Sequence, residues 1–497
     1  MTDNFTIFQF FHWYYSPEGN LWKHAVDKAP HLAQMGVSHV WLPPAYKSGK
    51  GTGEPGYAAY DLYDLGEFDQ KGTVRTRYGT KQEYHDCIKA IHDHGMDVMA
   101  DIVLNHKNFG DEKEPVSVQQ VNAENRNEFM GEPKTIEAFT KFTFPGRQKK
   151  YSEFIWDFHC FSGMDEDGNI YLILNEYTNG HWGEMVEEEK GNYDFLMGKD
   201  IEYRNPYVKE ELKKWGKWYI ETTAIDSLRL DAVKHINHQF MNEWLDYLRA
   251  HFKRNFLAVG EYWRHDVSHL LKYIDATEGR VQLFDVPLHF NFYTASTQGV
   301  DYDMRKIFDN TLVQAKPQLA ITFVDNHDTQ PLQSLQSPVE YWFKPLAEAL
   351  ILLREQGIPC VFYPSIYGAK YADHVDGKEI YVEMNGIEHV EGMLKIRKHL
   401  AYGIQRDYFD HGNTIGWTRE GAKERALSGC AVVLTNSKGG EKQMEIGKRH
   451  AGRTFINAFG NREEKIIIDE NGSSRFYVND KTVAVWIDEE VMKLING

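Results

Sequence analysis

Four short segments set carboxylates, imidazoles and a guanidinium directly after apolar runs. DIVLNH carries Asp101, Asn105 and His106, SLRLDAVKH carries Arg229, Asp231, Lys234 and His235, AVGEYW carries Glu261, and FVDNHDT carries Asp325, His327 and Asp328. A carboxylate at the end of a buried run costs desolvation free energy unless it is paired or used, so several of them point to acid–base work. Arg229 stands two residues before Asp231, so on an extended strand both side chains share a face and the guanidinium keeps Asp231 ionised. Glu261 lies among Val259, Gly260, Tyr262 and Trp263, a less polar setting that raises its pKa and lets it deliver a proton near neutral pH.

These segments need a scaffold that brings strand ends together. Short apolar runs alternate with amphipathic stretches over most of the first 400 residues, the pattern of repeated βα units around a parallel sheet. Strands are expected at residues 6–11, 37–42, 97–104, 227–230, 256–260, 281–284, 320–324 and 360–363. Eight strands each followed by a helix make a (β/α)8 TIM barrel, whose active site forms at the C-terminal strand ends. One helix is especially clear: Asn205 can cap it, Pro206 suits its first position, and Val208, Leu212, Trp215 and Tyr219 repeat along one face.

About a hundred residues separate the third strand from that helix, far more than the usual two to six of a βα loop. Residues 105–205 are therefore expected to form an inserted, irregular, β-containing domain over the barrel mouth, with residues 1–104 and 206–398 making the barrel. Beyond residue 399 the helical period fades, and β-type runs at 431–434, 465–468, 475–478 and 483–487 predict a C-terminal antiparallel β-sandwich domain over 399–497.

Composition limits the partners. The net charge of −17 opposes nucleic acid and anionic membranes, and no run is long and apolar enough to span a bilayer. Aromatic residues make up 14% of the chain, more flat apolar surface than a core strictly needs, and sugar rings stack on such surface. Cys87, Cys160, Cys360 and Cys430 show no metal-type spacing and read as reduced thiols. Residues 1–10 lack the basic and apolar regions of an export signal, so the cytoplasm is the expected location, with a secreted form shown without its leader as the alternative.

The four segments, together with GYAAYDLYDLGEF, GNYDFLMGKDIEYRNP and VDNHDTQP, resemble the motif regions of the α-amylase family of glycoside hydrolases over nearly the whole chain. They are most similar to the bacterial liquefying-type and cytoplasmic α-amylases. The resemblance implies retaining endo-hydrolysis of α-1,4-glucan, with Asp231 as nucleophile, Glu261 as acid/base and Asp328 as the carboxylate that stabilises the transition state. It further implies sugar contacts from Tyr57, His106, Arg229, Lys234, His235, His327, Trp13 and Trp263. A structural calcium ion would be held by Asn105, Asp194, Asp200 and the backbone carbonyl of His235, all hard oxygen donors. Ser162 and Gly183 stand where secreted relatives carry further aspartates, so one ion is expected. A monomer is expected too. A transglycosylase or an oligosaccharide-releasing exo-enzyme uses the same three carboxylates, whereas a non-catalytic glucan-binding homologue would lack one of them.

Overall fold

The structure, a computed structural model, describes residues 4–460 and 464–496; the expected outer segment limits at residues 1 and 497 lie outside these. Eight parallel strands close into a barrel: β1 (Ile7–Gln9), β2 (His39–Leu42), β3 (Asp97–Ile102), β4 (Ser227–Leu230), β5 (Leu257–Gly260), β6 (Gln282–Phe284), β7 (Ala320–Phe323) and β8 (Ile358–Phe362). Each neighbours its sequence successor, and β8 closes on β1 through Ile7 and Cys360. The strands are apolar on both faces because one side packs the barrel interior and the other meets the helices. Val40, Leu42, Val98, Leu228, Val259, Leu283 and Ile321 are all buried.

The surrounding helices are α1 (Leu21–Met35), α2 (Lys81–Asp93), α3 (Pro206–Thr223), α4 (His238–Phe252), α5 (Val267–Ala276), α6 (Val286–Gln298), α7 (Lys344–Leu352) and α8 (Val390–His399). In α3 the Asn205 side chain accepts from the Tyr207 backbone N–H, Pro206 opens the first turn, and the four spaced apolar residues are buried.

The long segment between β3 and α3 is more regular than expected. It forms a six-stranded sheet in which Glu112–Val121 pairs antiparallel with Phe129–Lys141, and Phe161–Glu166 pairs with Asn169–Ile173 and Lys199–Ile201. One face of the long pair buries Val116, Val118 and Ala138, while mostly charged and polar residues occupy the other face, which hid the alternation. A hairpin of Ala369–Val375 and Lys378–Met384, turning at Asp376 and Gly377 with positive φ at both, was also not anticipated.

After α8, six antiparallel strands run in the order Gln405–Tyr408, Thr414–Arg419, Cys430–Thr435, Val483–Asp488, Thr454–Asn457 and Lys465–Ile467. A two-stranded ribbon, Gly440–Glu445 with Ser473–Val478, packs on this sheet around Val433, Met444, Phe455, Phe476 and Trp486. The four expected runs fall on strands; Gln405–Tyr408, Thr414–Arg419, Gly440–Glu445 and Thr454–Asn457 were missed.

Candidate active site

The C-terminal ends of β3, β4, β5 and β7 bring the charged segments to one point. Arg229 and Asp101 face each other in register on β4 and β3, and the ladder continues past the strand ends, where Asp231 N–H donates to the Ile102 carbonyl and Glu261 N–H to that of Leu230. Asp231 and Glu261 are therefore neighbours by strand pairing alone. Gly260 lets the end of β5 pack closely beside its neighbour, since a Cβ there would come within 2.8 Å of Val281 Cγ1. Asp328 follows β7 in a tight Asx turn: the Asn326 side-chain oxygen accepts from the backbone N–H groups of Asp328 and Thr329, both at 2.9 Å.

One guanidinium organises the cluster. Arg229 Nη1 donates to Asp101 Oδ1 at 2.8 Å and to Asp231 Oδ1 at 2.6 Å, while Nη2 donates to Glu261 Oε2. Asp101 is held on its other oxygen by Trp41 Nε1 at 3.1 Å and the Tyr57 hydroxyl at 2.7 Å. Burial raises the pKa of Asp231 to about 6, with Arg229 opposing the rise. Glu261 is raised by burial as well, and Asp328 is pushed well above the carboxylate range by burial and by the charge of Glu261. The guanidinium thus limits an upward shift that burial imposes on every carboxyl in the cluster. Near pH 7 Asp231 is ionised in the main.

Beside the carboxylates stands an aromatic wall. Tyr57 stacks on Trp13 with centroids 5.5 Å apart and on His327 at 5.2 Å. His327 Nδ1 meets Gln9 Nε2 at 3.0 Å, and its Nε2 lies 3.4 Å from Asp328 Oδ2. His106 meets the Tyr57 carbonyl through Nε2 at 2.9 Å. Burial lowers His106 to about 4, and burial with the nearby Arg229 charge lowers His327 well below its ordinary range, so both rings are neutral at physiological pH. Such rings can donate and accept hydrogen bonds without adding charge.

Lys234, His235 and Trp263 form a second group. Lys234 Nζ donates to the Trp263 carbonyl at 3.3 Å and lies 4.6 Å from the Tyr193 ring centre; the His235 ring is buried, with Nδ1 2.9 Å from the Tyr193 carbonyl. Trp263 packs on His289 and Phe290 and remains half-buried.

The catalytic-domain model of the family described as "Alpha amylase, catalytic domain" matches residues 19–371. The chain belongs to the α-amylase family. It is 47% identical to the cytoplasmic alpha-amylase of Escherichia coli, over 98% of this chain and 100% of the relative, and 46% identical to the alpha-amylase of Geobacillus stearothermophilus, over 97% and 87%. It is also 42% identical to the glucan 1,4-alpha-maltohexaosidase of a Bacillus species, over 98% and 93%. Among solved structures, the alpha-amylase of Geobacillus thermoleovorans complexed with acarbose shares the fold, with a TM-score of 0.65 and 19% identity over 97% of this chain and 98% of that one.

Several residues around this α-amylase-family cluster escaped the sequence reading. Gln9 and Trp41 reach it from β1 and β2, strands with no charged motif to draw notice. Glu187, buried in the inserted segment, accepts from the Tyr262 hydroxyl at 3.0 Å and from Arg264 Nη2 at 3.2 Å, and Arg264 Nη1 lies 3.2 Å from Glu189.

Three of the proposed calcium ligands, Asn105, Asp194 and Asp200, lie together. Asn105 Nδ2 donates to Asp200 Oδ1 at 3.1 Å, and Asp200 Oδ2 accepts from Ser162 Oγ at 2.6 Å; Asp194 Oδ2 accepts from the Gly183 N–H at 2.8 Å. Among the described residues no three His, Cys, Asp or Glu side chains converge as a metal site. The three offer instead two carboxylates and an amide oxygen, hard donors that suit calcium. Asn105 Oδ1 is buried with no partner, burial raises Asp194 to about 7, and burial with the charge of Asp194 raises Asp200 further. Two buried carboxylates and an orphaned oxygen fit a cation.

Proposed function

We propose that this chain is an α-amylase that hydrolyses internal α-1,4 bonds of starch, glycogen or maltodextrins with retention of configuration. The observation that carries this reading is Arg229, whose guanidinium joins Asp231 and Glu261 while Asp328 stands nearby and Tyr57, Trp13 and His327 offer a flat wall for a sugar ring. Glu261, whose hold on a proton burial strengthens, gives its proton to the glycosidic oxygen as Asp231 attacks the anomeric carbon. The C1–O bond to the leaving chain breaks, and an ester to Asp231 forms. Glu261, now ionised, takes a proton from water; the hydroxide attacks C1, the ester bond breaks, and Asp231 leaves as a carboxylate. Two displacements restore the original configuration. Asp328 and His327 hold ring hydroxyls, His106 adds a neutral partner, and Lys234, His235 and Trp263 border the product side.

Asn105, Asp194, Asp200 and the His235 carbonyl would hold one calcium ion, which supplies fixed positive charge between the inserted segment and the barrel. Residues 1–104 with 206–398, 105–205 and 399–497 are the three units we assign. A cytoplasmic monomer is the form we infer, since one relative is named for that location and the net charge opposes acidic partners.

A second reading, release of a short oligosaccharide from chain ends, is favoured by the maltohexaosidase relative. Chromatography of products over time from a long linear α-1,4-glucan separates the two. Mixed mid-length oligomers appearing first are expected; a single short product from the outset would replace the endo reading.

A further inference from the structure

A polar cavity opens at the opposite end of the barrel from the carboxylates, between the starts of β1 and β8 and the C-terminal sheet. It holds about 900 Å³ and is lined by Phe5, Gly357 and Ile358 of the barrel, Arg397 of α8 and Arg419 at the end of Thr414–Arg419. Both arginines are buried, each 4% exposed. Arg397 donates only to neutral acceptors, the carbonyls of Phe5 and Leu352 and the Thr6 hydroxyl. Arg419 donates through Nε and Nη2 to the Gly403 carbonyl, at 3.3 and 3.2 Å, and its Nη1 is buried with no partner.

Among the described residues neither guanidinium pairs with a carboxylate. A third arginine nearby, Arg354, is neutralised by Asp407 through two hydrogen bonds of 2.8 Å. The lining carboxylate, Glu355, is exposed and bonds to neither Arg397 nor Arg419. Glu355 acts on Arg419 only through its charge, without a hydrogen bond. Two buried positive charges that no carboxylate pairs directly are costly, and a cavity beside them admits an anion. Burial and the charge of Arg419 pull Arg397 down to about 9, as expected of two cations buried near each other.

We propose that Arg397 and Arg419 form a binding site for a phosphate group, free or carried on a sugar. Two guanidiniums match the double charge and multiple oxygens of a phosphate better than the single charge of a carboxylate. The volume falls within the range of small-molecule pockets, and the amides of Gln318 and Gln356 offer partners for hydroxyls of an attached sugar. A phosphate seated here would tie the barrel to the C-terminal sheet, because Arg397 and Arg419 belong to one each.

The test is isothermal titration of the full chain with inorganic phosphate and with glucose 1-phosphate, at constant ionic strength set by chloride. Saturable binding at one site, with a Kd at or below about 1 mM, is expected for at least one of them. Tighter binding of glucose 1-phosphate assigns the site to a phosphosugar, and equal binding assigns it to phosphate itself. Arg419→Gln should weaken binding about tenfold or more, the equivalent of one charge-assisted hydrogen bond. Because that buried change could perturb folding, Gln318→Glu, at an exposed lining position, serves as the second variant and should weaken binding by repulsion while leaving glucan hydrolysis unchanged. Glu355→Gln should tighten it. No saturable binding of either probe, or equal affinity in the wild type and all three variants, overturns the proposal.

Discussion

At the scale of single residues, Arg229 decides how the candidate site ionises. Four carboxyls, Asp101, Asp231, Glu261 and Asp328, meet one guanidinium in a buried place, and burial pushes all four upward. If Asp231 attacks as the nucleophile, kcat/KM should fall on the acid side with a limb near pH 6. Arg229→Gln removes the charge that opposes the shift, so the limb should move to higher pH, as measured by a pH–rate profile. The same change has a stability signature. A carboxyl whose folded pKa is raised contributes stability that is present below its unfolded value near 3.8 and is lost as pH rises through the folded value. The melting midpoint of the variant should therefore drop more steeply than wild type as pH rises from about 4 through 6 and beyond. Asp231→Asn and Glu261→Gln keep shape while removing nucleophile or proton, and each should retain less than about a hundredth of wild-type turnover in an assay on soluble starch. The motif residues were legible because their types are out of place at the ends of apolar runs. Gln9 and Trp41 were not, because an amide or indole on a barrel strand gains meaning only when closure sets it against His327 or Asp101.

At the scale of elements, the barrel strands and α3 were readable because two periodicities, the apolar run and the 4-3-4 helical spacing, were uninterrupted. The Ala369–Met384 hairpin carried a usable Asp-Gly turn signal at 376–377, but its strands are largely exposed and so lack the apolar alternation that marks a buried strand. The inserted sheet was foreseen as an element and not in detail, and one of its attachments to the barrel could not be read at all. That attachment is a charged latch: Glu187 and Glu189 of the insertion meet Arg264 after β5, and Lys234 after β4 lies 3.5 Å from Glu189. Glu187 is 1% exposed, so its loss leaves the Tyr262 hydroxyl and part of the Arg264 charge without a partner. Glu187→Ala should cost about 2 to 3 kcal/mol, less than a fully buried pair because Arg264 is partly exposed. Limited proteolysis should then cut within the insertion faster than in wild type. Unchanged cleavage would mean that the sheet's contacts with the barrel hold it without the latch.

At the scale of the whole molecule, the insertion and the barrel meet at a second place, where Asn105 at the end of β3 and Asp200 on the returning strand are joined across 95 residues of chain. Without a cation this junction holds two buried carboxylates that disfavour each other's charge, and an amide oxygen with no partner. Calcium would convert that liability into a tie between the parts. A ligand that binds only the folded state stabilises it by RT ln(1 + [L]/Kd), about 2.7 kcal/mol at a hundredfold excess over Kd. Chelator should therefore lower the melting midpoint, and added calcium should restore it. Asp231, Glu261 and Asp328 take no part in the proposed calcium set, so loss of activity should follow loss of structure and not precede it. Ser162 and Gly183 bring no negative charge to Asp200 and Asp194, which leaves the junction fewer anionic ligands and predicts weaker calcium retention than a site with added aspartates. Ser162→Asp should raise the affinity while lowering the stability of the calcium-free protein, because a third buried carboxylate then lacks its counter-charge. Melting curves of wild type, Ser162→Asp and Asp200→Asn, each with chelator and with calcium, check both arms. A wild-type midpoint indifferent to chelator, together with an Asp200→Asn variant as stable as wild type, would reduce the junction to a hydrogen-bonded polar loop.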